Sequence, residues 1–202
     1  MTNRVAHLIK GAVLAVMLVP AIAAAQFSES YNFLKSVRDR EGAKATEFIS
    51  KPGTVIIDTR DPSTGETAVH IVTKARDMTW LTFLLARKAK TDIRDNQGNT
   101  PLMIAAQLGF IEGAQLLIEQ RANVDLANAA GETPLIRAVQ ARNAPMVRLL
   151  LMAGANPRKG DSVAGLSARD YAVRDRRSAA IVKIIDEVKP TKVGAPAAGP
   201  VR

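Results

Sequence analysis

The sequence predicts an all-α fold, a solenoid of stacked helix–turn–helix units joined by hairpin-like finger loops. A block of residues recurs at a spacing of 33 along the chain. Inside each block, apolar residues follow the three-and-four spacing of an amphipathic helix. Periods of roughly 20–50 residues are typical of solenoids, in which a unit buries its apolar face only against its neighbours.

The period is visible at both ends of the block. Each block opens with a glycine two residues before a threonine, and the three openings lie 33 residues apart: Gly65-Glu66-Thr67, Gly98-Asn99-Thr100 and Gly131-Glu132-Thr133. Later in each block an apolar pair keeps the same spacing: Phe83-Leu84, Leu116-Leu117 and Leu149-Leu150. Three copies at one spacing make a chance match implausible.

The middle block carries clear helix signals. Thr100 can cap free backbone N–H groups, and Pro101 is tolerated at the first helical position. Gly109 can adopt the left-handed conformation that ends a helix. A second helix is predicted over roughly 111–120, and the buried sides of the two helices are predicted to hold Leu102, Ala105, Ala106, Ala114, Leu117 and Ile118.

These residues resemble the ankyrin repeat, whose pattern runs Thr-Pro-Leu-His, two alanines, a glycine, a leucine pair and Gly-Ala. The best matches are Thr100-Pro101-Leu102 with Ala105-Ala106 and Gly109, and Thr133-Pro134-Leu135 with Ala138, Leu149-Leu150 and Gly154-Ala155-Asn156. The resemblance implies an ankyrin-repeat solenoid that works as a non-catalytic protein-binding module. It also implies that His70 bonds neighbouring turns to each other.

Several positions depart from the family pattern. Arg76 and Arg142 stand where the middle block has Gly109, whereas Lys88 and Arg121 stand where the third block has glycine. A non-glycine residue held in the left-handed conformation costs about 1–2 kcal/mol. The first block also has alanine in place of the helix-starting proline. We therefore expect the unit 98–130 to be the best formed and the unit 65–97 to be less regular.

The chain divides into segments of different character. Residues 1–25 are interpreted as a cleaved signal peptide, 26–60 as N-terminal capping helices that form a degenerate repeat, 61–188 as ankyrin repeats and 189–202 as a disordered tail. The predicted units are 61–94, 95–127 and 128–160, followed by a C-terminal capping repeat, 161–188. Residues 51–57 are expected to form a turn and an extended segment.

The N-terminal segment indicates export. Arg4 and Lys10 precede an uncharged apolar stretch, and Ala23-Ala24-Ala25 offers the small residues that signal peptidases read, with Gln26 next. A membrane anchor is the alternative, but the stretch is short of the roughly 20 apolar residues that span a bilayer. We expect a periplasmic or secreted bacterial protein.

Few residues could support catalysis. The chain has no cysteine and two histidines, of which His70 alone lies outside the signal segment. A carboxylate site could be imagined from Asp58, Asp61, Asp92 and Asp95, although solvated turn residues are the simpler reading. We expect no enzyme activity, no cofactor and no metal.

Trp80 could be an exposed recognition residue or could be partly buried between repeats.

The basic charge is concentrated in one part of the chain. Residues 26–136 hold 13 basic and 14 acidic residues, whereas residues 137–202 hold 13 and 5. These side chains could simply be a solvated surface. The functional alternative is an envelope-associated protein that binds an anionic polymer or lipid, with these candidate residues: Arg137, Arg142, Arg169, Arg174, Arg176 and Arg177. Nucleic acid is not an expected partner of an exported protein.

The leading hypothesis is recognition of an unidentified protein partner by a monomer. By resemblance, the contact positions lie at the finger tips and on the inner helices, where residues differ between units. The positions are Ser63, Thr64, Glu66 and Lys74 in the first unit, Asn96, Gln97, Asn99, Gln107 and Leu108 in the second, and Ala129, Ala130, Glu132, Gln140 and Ala141 in the third.

Overall fold

The computed structural model describes residues 29–188 and confirms the predicted fold class. Within this range the chain forms ten α-helices, two 3₁₀ turns and no strand. None of the helices described is long and apolar enough to cross a membrane. The predictions of a signal peptide over 1–25 and of a tail over 189–202 concern segments outside the described residues.

The helices alternate between an inner and an outer row. A first helix covers residues 29–38 (α1) and is followed by α2, Gly42–Ile49. The inner row is formed by α3 Ala68–Lys74, α5 Pro101–Leu108, α7 Pro134–Gln140 and α9 Ala168–Arg174. The outer row is formed by α4 Met78–Ala86, α6 Ile111–Glu119, α8 Ala144–Met152 and α10 Ala179–Glu187.

Hydroxyl side chains begin the inner helices, as predicted. The Thr100 hydroxyl oxygen accepts the backbone N–H of Met103 at 3.3 Å, and Thr133 accepts that of Ile136 at the same distance. These bonds satisfy backbone donors that have no partner inside the helix. Gly109 ends α5 with a φ of 69°, so its predicted left-handed conformation is also confirmed.

The expectation that the first unit is less regular is wrong. Its inner helix has seven residues, as α7 has, and its outer helix has nine, as α6 and α8 have. The reason is that the non-glycine residues keep the left-handed geometry: φ is 52° at Arg76 and Arg142, and 66° at Lys88 and Arg121. Packing between units outweighs a local cost of about 1–2 kcal/mol at each position.

The core runs through the stack as one continuous layer between the two rows. Each inner helix packs on the next, α3 on α5, α5 on α7 and α7 on α9. Small buried residues such as Ala105, Ala106 and Ala138 allow this close approach, while Leu84, Leu117 and Leu150 fill the space beneath the outer helices. The helices position the fingers, which follow each outer helix.

The two ends of the stack differ from the central units. Residues 51–57 were expected to be extended beyond a turn, but Ile56–Asp58 forms a 3₁₀ turn. Burial of Ile56 against the core explains the difference. At the other end a 3₁₀ turn, Arg176–Ser178, precedes α10. There Arg169 and Asp170 take the positions that hold the buried Leu135 and Ile136 one unit earlier.

One buried hydroxyl group in α3 lacks a partner, which leads to a stability prediction. Thr73 is fully buried and its Oγ1 makes no hydrogen bond, whereas Ala106 and Val139 stand at the equivalent positions. We expect Thr73→Val to raise the free energy of unfolding by about 1 kcal/mol, because it removes an unsatisfied polar group without changing shape. Urea denaturation measures the change.

The matched control is a buried threonine that does have a partner. Thr133→Val removes the hydroxyl that caps α7 and should lower the free energy of unfolding by about 1–2 kcal/mol. Equal destabilisation by the two substitutions would contradict the interpretation of Thr73.

Candidate functional site

Each finger is shaped by one side chain at its base. Asp95 Oδ1 accepts the backbone N–H of Gln97 at 2.9 Å and that of Asn99 at 2.8 Å. In the next finger, Asn128 Oδ1 accepts two N–H groups at 3.0 Å each. Asp61 and Asp161 do the same in the first and last fingers. The predicted hairpin turns are therefore confirmed and have a defined physical cause.

Backbone hydrogen bonds join each finger to the next. Asn96 N donates to Thr64 O at 2.9 Å, Ala129 N donates to Gln97 O at 3.1 Å, and Ser162 N donates to Ala130 O at 2.9 Å. The bonds run along the stack, so the four fingertips form one continuous edge. Residues at these tips share a single surface even though they are far apart in sequence.

A second series of bonds crosses between units at the bases of the fingers. The carboxylates of Asp58, Asp92 and Asp125 accept the backbone N–H groups of residues 31 or 32 positions later, at 2.8–2.9 Å: those of Lys90, Asn123 and Asn156. These aspartates are therefore occupied in holding the stack. Among residues 29–188, no group of three or more metal-binding side chains is present.

His70 connects the first unit to the second. Its Nε2 lies 3.1 Å from the carbonyl oxygen of Asn99, and because a carbonyl can only accept, Nε2 carries the proton. Nδ1 then accepts the backbone N–H of Thr67 at 3.1 Å, and the Thr67 hydroxyl lies at 2.9 Å. The structural role implied by the resemblance is confirmed. Burial lowers the pKa of His70 below its usual 6.5.

The contact positions predicted for the first unit are partly occupied by structural bonds. Ser63 and Thr64 are exposed at the fingertip. Glu66 is only 8% exposed, and its carboxylate accepts a hydrogen bond from the Lys74 ammonium group. Glu66 and Lys74 therefore bridge the finger to the end of α3.

In the second unit the finger positions are engaged in hydrogen bonds, whereas the side chains at the end of α5 are not. Asn99 is 7% exposed and its amide bonds inside the finger to Asp95 and Gln97. Asn96 donates to Ser63 O, so it also ties two fingers together. By contrast, Gln107 is exposed and makes no side-chain hydrogen bond among the described residues, and Leu108 beside it is half-buried.

The third unit again has a bridge, from Gln140 Nε2 to Glu132 Oε1 at 3.2 Å. Its fingertip holds two small residues, Ala129 and Ala130, and Ala141 is exposed at the end of α7. The structure thus brings the predicted positions together on the side formed by the fingertips and the ends of the inner helices, which the family resemblance implies is concave. Gln107 and Leu108 are uncharged residues on this side whose side chains make no hydrogen bond among the described residues.

The sequence analysis predicted a capping repeat over 161–188 but named no contact position in its finger. Ser162 pairs with Ala130 as Ala129 pairs with Gln97, so Ser162 and the exposed Val163 extend the fingertip row. An extra residue in this finger shifts it against the 33-residue period. Counting from the helix-capping Ser167 and Thr133 instead would have aligned Arg174 with Gln140.

The basic candidate residues are mostly paired with carboxylates. The distances from guanidinium nitrogen to carboxylate oxygen are 3.2 Å for Arg137–Glu132, 2.5 Å for Arg142–Asp175, 2.8 Å for Arg169–Asp186 and 3.5 Å for Arg177–Asp175. Arg174 and Arg176 are exposed and have no carboxylate oxygen within 4.0 Å among the described residues. Among the six candidate residues, only Arg174 and Arg176 therefore have a guanidinium group that contacts no carboxylate of the described residues.

Trp80 lies on the outer side of the stack and is half-buried. Its ring centroid is 5.5 Å from that of Phe83 in an edge-on arrangement. The guanidinium carbon of Arg87 lies 3.8 Å from the ring centroid of Phe83. Both aromatic residues pack against the core. Of the two interpretations left open by the sequence, partial burial is the one observed.

The fold and this surface define a class: a helical solenoid of stacked two-helix repeats with a row of finger loops along one side. A comparison with family models matches ankyrin repeats, in three copies, over residues 22–128 and 70–161. The chain belongs to the ankyrin repeat family. Repeats of this family generally mediate protein–protein interactions, and the proteins that carry them are typically non-catalytic adaptors.

The buried His70 leads to a pH prediction. Its lowered pKa means that the folded chain binds a proton less readily than the unfolded chain, so stability falls as the pH drops below about 6.5. At pH 7.5, His70→Gln should cost about 1–3 kcal/mol, because the partners Thr67 and Asn99 lose their bonds. The difference in free energy of unfolding between the unsubstituted chain and this variant should decrease from pH 7.5 to pH 5, as measured by urea unfolding. A constant margin would contradict the assignment.

Proposed function

We propose that this protein is an exported, monomeric recognition module that binds a partner protein through its concave surface. The observation that carries the proposal is the division between buried and exposed residues on the inner helices. The capping residues Thr67, Thr100 and Thr133 are the same in three units and buried. Seven residues after each of them, an exposed position changes from Lys74 to Gln107 to Gln140.

Catalysis has little support. The side chains that could act chemically are engaged in the scaffold: His70 bonds two units together, and the aspartates at the finger bases bind backbone N–H groups. A general acid or base needs a proton that it can exchange with a substrate, and these groups face the backbone. We propose a non-catalytic role.

Export is proposed from the N-terminal segment alone. Mature protein recovered from the source cell should begin at Gln26 when its N-terminus is determined by mass spectrometry. A cytoplasmic protein that begins at Met1 or Thr2 would contradict export while leaving the binding proposal open.

The alternative is attachment to an anionic envelope polymer or lipid through the basic C-terminal third. The large net positive charge of residues 137–202 supports it. The ion pairs of Arg137, Arg142, Arg169 and Arg177 weaken it, because these side chains already contact carboxylates. We therefore favour a protein partner.

Site-specific photo-crosslinking tests the proposed surface. A benzophenone amino acid is placed at Gln107, on the concave side, and separately at Gln115, which is exposed on the outer helix α6. Both sites accept a large side chain without disturbing the core. Irradiation in the source cell should give a discrete crosslinked protein from position 107 and none from position 115.

A further variant connects the crosslink to the surface itself. Substituting Gln97, Leu108 and Gln140 together with alanine should remove the crosslink at position 107 while the far-ultraviolet circular dichroism stays unchanged. Crosslinks of equal yield from positions 107 and 115, or a crosslink that survives the triple substitution, would contradict the concave surface as the binding site.

A further inference from the structure

The turn between α9 and α10 concentrates positive charge. Here the C-terminal turn cluster means Arg142, Arg174, Asp175, Arg176 and Arg177. Asp175 holds it together: its Oδ2 lies 2.5 Å from Arg142 Nε, and its Oδ1 lies 3.5 Å from Arg177 Nε. Two guanidinium groups thus contact one carboxylate, and Arg174 and Arg176 are the sequence neighbours of that aspartate. The five residues together carry a net charge of +3.

The single carboxylate cannot neutralise more of this charge. Asp175 also accepts the backbone N–H of Arg177 at 3.1 Å and the hydroxyl of Ser178 at 3.3 Å. These bonds, led by that from Arg142, hold the pKa of Asp175 far below its usual range, so it is ionised and fully occupied. Arg174 and Arg176 remain exposed with no carboxylate oxygen within 4.0 Å among residues 29–188.

The other turns between inner and outer helices are different. The α5–α6 turn contains Gly109 and Phe110 and carries no charge. In the first unit, Arg76 donates to the carbonyl oxygen of Leu108, and Asp77 lies 3.2 Å from Arg40. The turn of the second unit therefore has no charged residue of its own, although the Arg76 guanidinium contacts Leu108, whereas the C-terminal turn has three arginines and one aspartate.

The cluster continues the surface that is proposed to bind a partner. Arg174 takes the place in α9 that Gln140 takes in α7, counted from the capping residues of the two helices. Arg142 follows Gln140 and Ala141 directly. A bound segment that lies along the inner helices would meet amide and aliphatic groups first and guanidinium groups next.

We propose that the C-terminal turn cluster recognises an acidic segment of the partner protein, with carboxylates bound by Arg174 and Arg176. This inference rests on the proposed function and adds the chemistry of the partner to it. Guanidinium groups bind carboxylates through paired, charge-assisted hydrogen bonds. A polypeptide fits better than a lipid headgroup, because Gln107, Leu108 and Gln140 offer side-chain contacts that a headgroup does not use.

A peptide titration with matched variants tests the inference. The probe is a labelled peptide of about twelve residues in which four glutamates flank a leucine, and its control has glutamine in place of each glutamate. Binding to the full chain is followed by fluorescence anisotropy at low and at physiological ionic strength. A parallel assay uses vesicles that contain phosphatidylglycerol.

Two double variants separate the cluster from net charge. Arg174→Gln with Arg176→Gln removes the two unpaired arginines of the cluster, and glutamine is the residue that α7 carries at the first of these positions. Arg148→Gln with Arg158→Gln removes the same charge from two exposed arginines elsewhere in the C-terminal third. The first pair should weaken binding of the glutamate peptide about tenfold, and the second pair less than about twofold.

Three results would overturn the inference: equal losses in the two pairs, equal binding of the glutamate and glutamine peptides, or vesicle binding that depends on Arg174 and Arg176 in the absence of peptide binding. Circular dichroism of both variants checks that the fold is kept. Failure here leaves the photo-crosslink at position 107 unaffected, so the proposed function and the acidic partner are tested separately.

Discussion

The structure depends on contact between neighbouring repeats. A unit of two helices with seven to nine residues each is too short to bury its own apolar side chains, and isolated helices of this length are marginal in water. Each unit therefore uses its neighbour as part of its core. The same three connections recur along the stack: packing between inner helices, backbone bonds between fingers, and aspartate carboxylates that hold the following unit.

This constraint also decides which residues are available for function. Polar groups that look chemically active in the sequence, such as His70 and the finger aspartates, are used to join units. The side chains that are not used in this way include the uncharged Gln107 and Leu108 at the end of α5. They also include the exposed Arg174 and Arg176 in the turn after α9, which form a cationic part of the surface. The two parts lie on elements held by packing, so a partner would meet a surface that is already formed.

Much of this could be predicted from the sequence, because the repeat encodes it locally. The 33-residue period, the threonine caps and the ends marked by Gly109 depend on neighbouring residues alone. The left-handed arginines could not be predicted, since packing between units overrides a local cost. The burial of Glu66 and Asn99 and the ion pair between Arg142 and Asp175 depend on the stacked geometry. The fourth repeat was predicted as a cap, but the bond from Ser162 to Ala130 that adds its finger to the fingertip row depends on the stacked geometry.

The dependence of each repeat on its neighbours is tested most directly by following unfolding at two places. Trp80 is the only tryptophan and reports on the first full repeat by fluorescence, while circular dichroism at 222 nm reports on all helices. If neighbours stabilise one another as the structure indicates, the two signals should change at the same urea concentration and with the same steepness. A Trp80 transition at clearly lower urea than the loss of helix would show that the first repeat unfolds by itself, and would contradict the account.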